Sequence, residues 1–122
     1  MPVMQDGDKC VALPIVEIVS ENTFYDFESK YTVGMSHHII PARIPESAAK
    51  KIEEYAVSAY KTLHCKGVAR IDFFIDENNN PYVIEINTIP GMTKTSIVPD
   101  SAAAVGLSFG DLAEKIINQP II

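Results

Sequence analysis

The sequence predicts an α+β domain in which helices pack on an antiparallel sheet. Residues 68–75 and 82–87 are apolar-rich runs on either side of a turn, which is the pattern of a β-hairpin. Residues 45–63 carry apolar side chains at helical spacing, and a second helical pattern covers 109–118. The 122 residues suit a single domain, since domains usually have roughly 100–200 residues.

The composition excludes several classes of protein. A hydrophobic content of 47% with 21% charged residues predicts a folded chain, not a disordered one. The formal net charge of -6, from 10 basic and 16 acidic residues, argues against a nucleic-acid partner. An anionic ligand stays possible, because bound cations can invert the local field.

Cellular location is predicted from what the sequence lacks. Two cysteines, Cys10 and Cys65, are too few for a disulfide framework and are expected to be reduced, partly buried thiols. No apolar run approaches the about 18 residues of a membrane span. Residues 1–6 lack the basic and apolar blocks of a signal peptide. We therefore expect a cytoplasmic protein without a membrane partner.

The first twenty residues read as β-structure. A short apolar stub at Val3 and Met4 precedes the turn signal Asp6-Gly7-Asp8. Residues 10–19 form a β-branched run that Pro14 interrupts, which predicts an edge strand or a bulge. The stub is short for a hairpin partner, as if the chain had been cut within a strand.

Residues 20–38 show neither helical nor strand periodicity, and aromatic side chains alternate there with charged ones. Long irregular loops are uncommon and often functional. A packed Ω-loop anchored by its aromatics is the equal alternative. His37 and His38 have no cysteine or carboxylate at metal-ligand spacing, so no metal is expected there.

The central helix is predicted to start at Pro45, because proline favours the first helical position, and to end before Gly67. Its apolar face is formed by Ile52, Tyr55, Ala56, Ala59, Tyr60 and Leu63. A short helical stretch near 101–105 follows later. The final helix runs over 109–118 with Ser108 as its cap.

The hairpin carries the chemistry. Arg70 and Asp72 share one face of the first strand, as Glu85 and Asn87 do on the second. A four-residue loop over 77–80 places Asp72 opposite Glu85 and Arg70 opposite Asn87, with Cβ atoms about 5 Å apart. The other face takes the apolar residues Ala69, Ile71, Phe73, Ile75, Tyr82, Ile84 and Ile86.

The same loop pairs Asp76 with Pro81. Facing carboxylates repel each other and destabilise a strand pair, and a divalent cation would relieve this. Carboxylate and amide oxygens are the ligands that magnesium prefers, together with substrate phosphates. The alternative is a solvated polar face in which Arg70 forms a salt bridge with Asp72 or Glu85.

Small and hydroxyl-bearing residues surround Gly91 in the segment 87–97. Such a segment allows backbone amides to approach an anion. An ordinary connecting loop would have the same composition.

Three blocks of sequence point to a family: FYDFESKY at 24–31, GVARIDFF at 67–74 and EINTIPGMT at 85–93. In this order they resemble the C-terminal part of D-alanine–D-alanine ligases, which are ATP-grasp enzymes. The resemblance spans essentially the whole chain. It implies that residues 1–122 form the C-terminal ATP-grasp lobe with a long mobile loop. The N-terminal domain and the central subdomain of such a ligase would lie outside the chain.

The resemblance also assigns roles to the hairpin. Asp72 would bind one Mg²⁺ ion, Glu85 would bridge two, and Asn87 would bind the second, with Mn²⁺ as a substitute metal. Arg70 and the backbone amide of Gly91 would stabilise the oxyanion of the tetrahedral intermediate. The co-substrate would be ATP, which phosphorylates the carboxylate of the first D-alanine.

The loop over residues 20–38 gains a role from the same resemblance, as a lid over the nucleotide. Lys30 would reach the γ-phosphate, Tyr31 would tie the closed loop down, and Phe24 and Tyr25 would lie near the nucleotide.

The resemblance also places the acceptor and the partners. Ser96 and the amide of Ile97 would hold the carboxylate of the second D-alanine. The implied partners are the rest of the ligase and a second copy of the full-length protein. Two alternatives stay open: a non-catalytic module that binds magnesium nucleotide weakly or binds nothing, and the lobe of another ATP-grasp ligase.

Overall fold

The computed structural model of the protein describes residues 1–20 and 36–118. Within these ranges the strands are β1 Pro2–Asp6, β2 Lys9–Ala12, β3 Glu17–Ser20, β4 Ser36–Ile39, β5 Val68–Ile75 and β6 Pro81–Asn87. The helices are α1 Glu46–Thr62, α2 Ile97–Ala104 and α3 Phe109–Ile117. Among them, no helix is long and apolar enough to cross a membrane.

The main sheet has four antiparallel strands in the order β2-β1-β5-β6. Strand β1 lies in the middle, with Val3 facing Ala12 on one side and Ala69 on the other. The predicted antiparallel sheet with packed helices is therefore confirmed, and the short stub at the start of the chain is a central strand.

The predicted single strand over residues 10–19 is wrong. Strand β2 ends at Ala12, and β3 pairs with β4 in a separate two-stranded sheet, which we call the ribbon. Pro14 lies between the two strands, and its missing N–H group cannot continue a ladder. The irregular loop predicted over 20–38 is wrong at its end, because residues 36–39 are a strand.

Helix α1 begins at Glu46. Pro45 takes the N-cap position and not the first helical position that the sequence predicted. Its buried residues repeat every four positions: Ala48, Ile52, Ala56 and Tyr60. Tyr55 is 45% exposed and Leu63 is 58% exposed, so the buried face is narrower than predicted. Tyr55 lies off this line of residues, and Leu63 is the C-cap beyond the last turn.

Two apolar clusters lie on opposite faces of the main sheet. One joins α1 to Val3, Ala69 and Ile71, and the other joins α2 and α3 to Met4 and Val68. Successive residues of a strand point to opposite faces, so Val3 and Met4 serve different clusters. Arg70 and Asp72 alternate with Ile71 and therefore share the face on which α2 and α3 pack.

The last two helices are defined by their N-termini. Ser108 and Asp111 form a capping box, so the predicted cap of α3 is confirmed. Helix α2 begins at Ile97, four residues before the predicted stretch, directly after the loop that contains Gly91. The start of α2 consequently belongs to the same region as the polar face of the hairpin.

Candidate active site

The hairpin brings four polar side chains together. Arg70 pairs with Asn87 and Asp72 pairs with Glu85, as the sequence predicted. Opposite residues in a ladder project to the same face, so the two carboxylates, the guanidinium and the amide share one surface.

The register differs towards the turn. Ile75, not Asp76, pairs with Pro81, so the loop has one residue more than predicted. A β-bulge on β6 compensates for the extra loop residue. Asp72 pairs with Glu85 and Phe73 pairs with Val83, so Ile84 between them has no partner on β5.

Asp76 explains the longer loop. Its carboxylate accepts hydrogen bonds from the backbone N–H groups of Asn78 at 2.9 Å and Asn80 at 2.8 Å, and from the Tyr82 hydroxyl at 3.3 Å. The bond from Asn80 is the main cause of the lowered pKa of Asp76. Asp76 therefore organises the turn through its carboxylate.

The bulge also changes which apolar residues are exposed. Phe74 lies two residues after Asp72 on β5, so both side chains point to the same face. Tyr82 pairs with Phe74 and shares that face, so the prediction that Tyr82 lies on the apolar face is wrong. The Ile84 prediction is wrong as well, since this bulge residue is 65% exposed beside Glu85. Phe74 is 58% exposed. Strand alternation alone could have identified Phe74, whereas the bulge left no signal in the sequence.

Arg70 forms a bidentate ion pair with Asp72, with Nε–Oδ1 at 2.9 Å and Nη2–Oδ2 at 3.1 Å. The salt bridge of the alternative interpretation is thus present, with Asp72 as the partner. In the described part of the chain, no lysine, arginine or histidine forms an ion pair with Glu85. One carboxylate of the facing pair therefore stays uncompensated.

The donor chemistry of this face fits magnesium. No cluster of three or more His, Cys, Asp or Glu side chains occurs in residues 1–20 and 36–118, and the hairpin face offers two carboxylates and one amide. Asp72, Glu85 and Asn87 supply only oxygen, which suits a magnesium ion that completes its shell with phosphate and water. Asn87 Oδ1 accepts a hydrogen bond from the Ile89 N–H at 3.1 Å and keeps a second lone pair.

The loop after β6 folds tightly onto Ser96. A Cβ atom built at Gly91 would lie 3.0 Å from Ser96 Oγ, so a side chain at this position would crowd the hydroxyl. Ser96 Oγ also accepts from the Thr93 N–H at 3.0 Å and contacts Thr93 Oγ1 at 2.7 Å. The structure thus brings Gly91 and Ser96 together.

Helix α2 starts without a side-chain cap. Ser96 is its N-cap residue, but the hydroxyl bonds into the preceding loop and makes no cap hydrogen bond. The first N–H groups of a helix have no partner within the helix, and they attract anions. The N–H of Ile97, next to the Ser96 hydroxyl, is therefore suited to a carboxylate.

Four predicted site residues, Phe24, Tyr25, Lys30 and Tyr31, lie outside the described residues, and their roles stay predictions. The ribbon strands that flank them pair Ser20 with Ser36.

The chain matches the family model described as D-ala D-ala ligase C-terminus over residues 1–118. The D-alanine–D-alanine ligase of Pelotomaculum thermopropionicum is 55% identical over 112 residues, which are 92% of this chain and 35% of that protein. The ligase of Carboxydothermus hydrogenoformans is 57% identical over 108 residues, covering 88% and 35%. The chain thus spans about a third of the length of these relatives.

Solved structures of related ligases are similar to this chain as well. The Bacillus anthracis D-alanine–D-alanine ligase complexed with ATP superposes with a TM-score of 0.71 at 28% identity, covering 95% of this chain and 35% of that one. The VanG D-Ala:D-Ser ligase from Enterococcus faecalis gives 0.72 at 37% identity, covering 95% and 34%. With the polar hairpin and the loop onto α2 in place, the chain belongs to the D-alanine–D-alanine ligase family, as the C-terminal domain of its ATP-grasp fold.

Proposed function

We propose that this domain forms one side of the active site of an ATP-dependent D-alanine–D-alanine ligase that serves peptidoglycan precursor synthesis. The observation that carries the proposal is the face shared by Arg70, Asp72, Glu85 and Asn87, which lies on the α2 side of the sheet. Family membership over residues 1–118 supports the same activity.

The hairpin would bind the metal and the nucleotide. Asp72, Glu85 and Asn87 would hold two Mg²⁺ ions, which supply charge neutralisation for phosphoryl transfer when bound. Phe74 and Ile84 would offer an exposed apolar surface beside them for the nucleotide base. In the related Bacillus anthracis structure the bound molecule is ATP.

Arg70 would act on the acyl-transfer step. ATP would transfer its γ-phosphoryl group to the carboxylate of the first D-alanine and leave as ADP. The amine of the second D-alanine would then attack the acyl phosphate, and the tetrahedral centre would collapse with release of phosphate and a proton. Arg70 and the Gly91 N–H would donate hydrogen bonds to the oxyanion of that centre.

The acceptor would be held at the start of α2. The Ser96 hydroxyl and the Ile97 N–H would bind the carboxylate of the second D-alanine, which fits the uncapped helix N-terminus. In this arrangement the amine of the acceptor would face the hairpin.

The remaining parts of the site would come from residues 20–38 of this chain and from the rest of the ligase. Lys30 would contact the γ-phosphate and Tyr31 would secure the closed loop, with Phe24 and Tyr25 near the nucleotide. Residues 1–122 would form the C-terminal subdomain of a cytoplasmic bacterial enzyme. Its partners would be the rest of the ligase and a second full-length copy.

A chimera tests the proposal. The N-terminal two thirds of the Pelotomaculum thermopropionicum ligase would be joined to this chain in place of the matching region. ADP and phosphate release that depends on D-alanine is the expected result. D-Serine is tried as the other acceptor, because the structurally similar Enterococcus protein is a D-Ala:D-Ser ligase.

Arg70→Ala in this chimera should lower turnover by about 10²-fold or more while sparing ATP binding, as for other oxyanion donors. The matched control is Arg43→Ala, which removes the chain's other arginine, ion-paired to Glu17 away from the hairpin. Normal turnover of Arg70→Ala would refute the oxyanion role. An inactive chimera would favour the non-catalytic module, and activity with another amino acid alone would favour a different ATP-grasp ligase.

A further inference from the structure

We propose that His38 is a positioning residue that, through Asp100, couples the ribbon to the helix holding the acceptor carboxylate. The inference rests on the proposed ligase function, because it assigns a task to the proposed acceptor site. Neither residue belongs to the set that the sequence predicted for the chemistry.

The contact joins two distant parts of the chain. His38 Nδ1 lies 2.5 Å from Asp100 Oδ2, although the two residues are 62 positions apart in the chain. The His38 side chain is 17% exposed and that of Asp100 is 37% exposed. A carboxylate accepts and cannot donate, so Nδ1 of His38 carries the proton of this bond.

Asp100 transmits the contact to the start of α2. It lies in the first turn of the helix, where the dipole favours a negative charge, and its own N–H donates to the Ser96 carbonyl at 3.3 Å. Displacing Asp100 would therefore move the residue proposed to hold the acceptor.

The next residue of α2 strengthens this attachment. Ser101 is fully buried, and its hydroxyl donates to the Pro14 carbonyl at 2.6 Å. Consecutive residues of α2 thus bond to the chain just before β3 and to β4. The helix is therefore held at one strand of the ribbon, β4, and at the segment that leads into the other strand.

Among the strands that the structure describes, the ribbon forms no ladder with the main sheet, so side-chain and loop contacts have to hold it in place. Its strands flank the segment of Lys30 and Tyr31, which are proposed to act on the nucleotide. Its other described ion pair, Glu17–Arg43, leads to the linker before α1 and not to α2. The His38–Asp100 contact therefore connects the ribbon to the helix proposed to hold the acceptor.

Kinetics of the chimera test the coupling. His38→Ala or Asp100→Ala should raise the KM for the acceptor D-alanine about tenfold, since small misplacements of substrate groups are costly, with the KM for ATP changed less than about twofold. The double variant should be no worse than either single variant, because both remove one contact. Asp100→Asn keeps an oxygen acceptor and should restore most of the affinity. Glu17→Ala is the control.

Equal increases in both KM values, additive effects of the two substitutions, or the same change in Glu17→Ala would overturn the proposal. Hydrogen exchange of this chain gives a readout without activity. Asp100→Ala should speed exchange of the backbone amides of β3 and β4 at least tenfold and leave β5 and β6 unchanged. Unchanged exchange of the ribbon would refute the coupling, whereas faster exchange beside an inactive wild-type chimera would refute only the ligase function.

Discussion

Replacing Glu85 with glutamine should stabilise the metal-free domain while removing a group proposed to be essential for activity. Glu85 lies directly opposite Asp72, and Arg70 binds Asp72 through Nε and Nη2 instead of bridging the two acids. Two carboxylates about 6 Å apart in a water-like dielectric repel by about 0.7 kcal/mol. Because Arg70 offsets part of this, we expect Glu85→Gln to raise the free energy of unfolding by about 0.4 kcal/mol, within the range of cross-strand pairs.

Thermal unfolding of the metal-free chain measures the effect. For a domain of this size the gain corresponds to a Tm increase of about 2 °C at low ionic strength. About 1 M salt should abolish most of it, since the Debye length then falls to about 3 Å. Glu53→Gln, on the exposed side of α1 with no carboxylate on a facing strand, is the matched control and should show no such salt-dependent gain.

The same substitution has the opposite consequence for the chimera. Without the Glu85 carboxylate, magnesium-dependent nucleotide binding should be lost. A lower Tm, or a gain that salt does not reduce, would refute the repulsion. Unchanged magnesium dependence would remove Glu85 from the proposed ligand set.

Three further outcomes are expected from the packing and the pKa shifts. Ile71→Ala, at a fully buried position, should lower the free energy of unfolding in urea by about 2–5 kcal/mol. Ile89→Ala, at a position that is 89% exposed, should change it by less than about 0.5 kcal/mol. Similar losses for the two variants would contradict the burial of Ile71. Ser108→Ala should lower the free energy of unfolding by about 1 kcal/mol because it removes the N-cap of α3, whereas Ser108→Asp should keep most of the capping stabilisation. Burial raises the pKa of Tyr60 to about 12, so the stabilisation from its neutral hydroxyl, which donates to Gly67, is complete below about pH 10 and is lost as pH rises towards 12. This alkaline loss should vanish in Tyr60→Phe, and its persistence would assign it to another group.

The centre of the hairpin was predictable because strand alternation places Arg70 with Asp72 and Glu85 with Asn87 for any even register. The turn was not, because its length depends on how many backbone N–H groups the Asp76 carboxylate binds. The bulge at Ile84 follows from that loop, so it could not be derived from local pattern.

The ribbon was predicted less well, for a different reason. Its strands have four residues each, which is too short for alternation to stand out, and His37 and His38 are polar residues at neighbouring positions of β4. Their pairing with β3 depends on partners that lie 18 and 20 positions away in the chain, Val19 and Ile18. The His38–Asp100 contact is more distant still, so only the folded chain reveals it.

The central position of β1 has a consequence for how the domain folds. Met1 and Ile71 exchange backbone hydrogen bonds although they are 70 residues apart, whereas β5 and β6 are joined by a short turn. Closing the longer loop costs about 2 kcal/mol more in chain entropy than closing the turn. We therefore expect the hairpin to form early and β1 to join last, so that the hairpin bearing the acidic pair is organised before the sheet is complete.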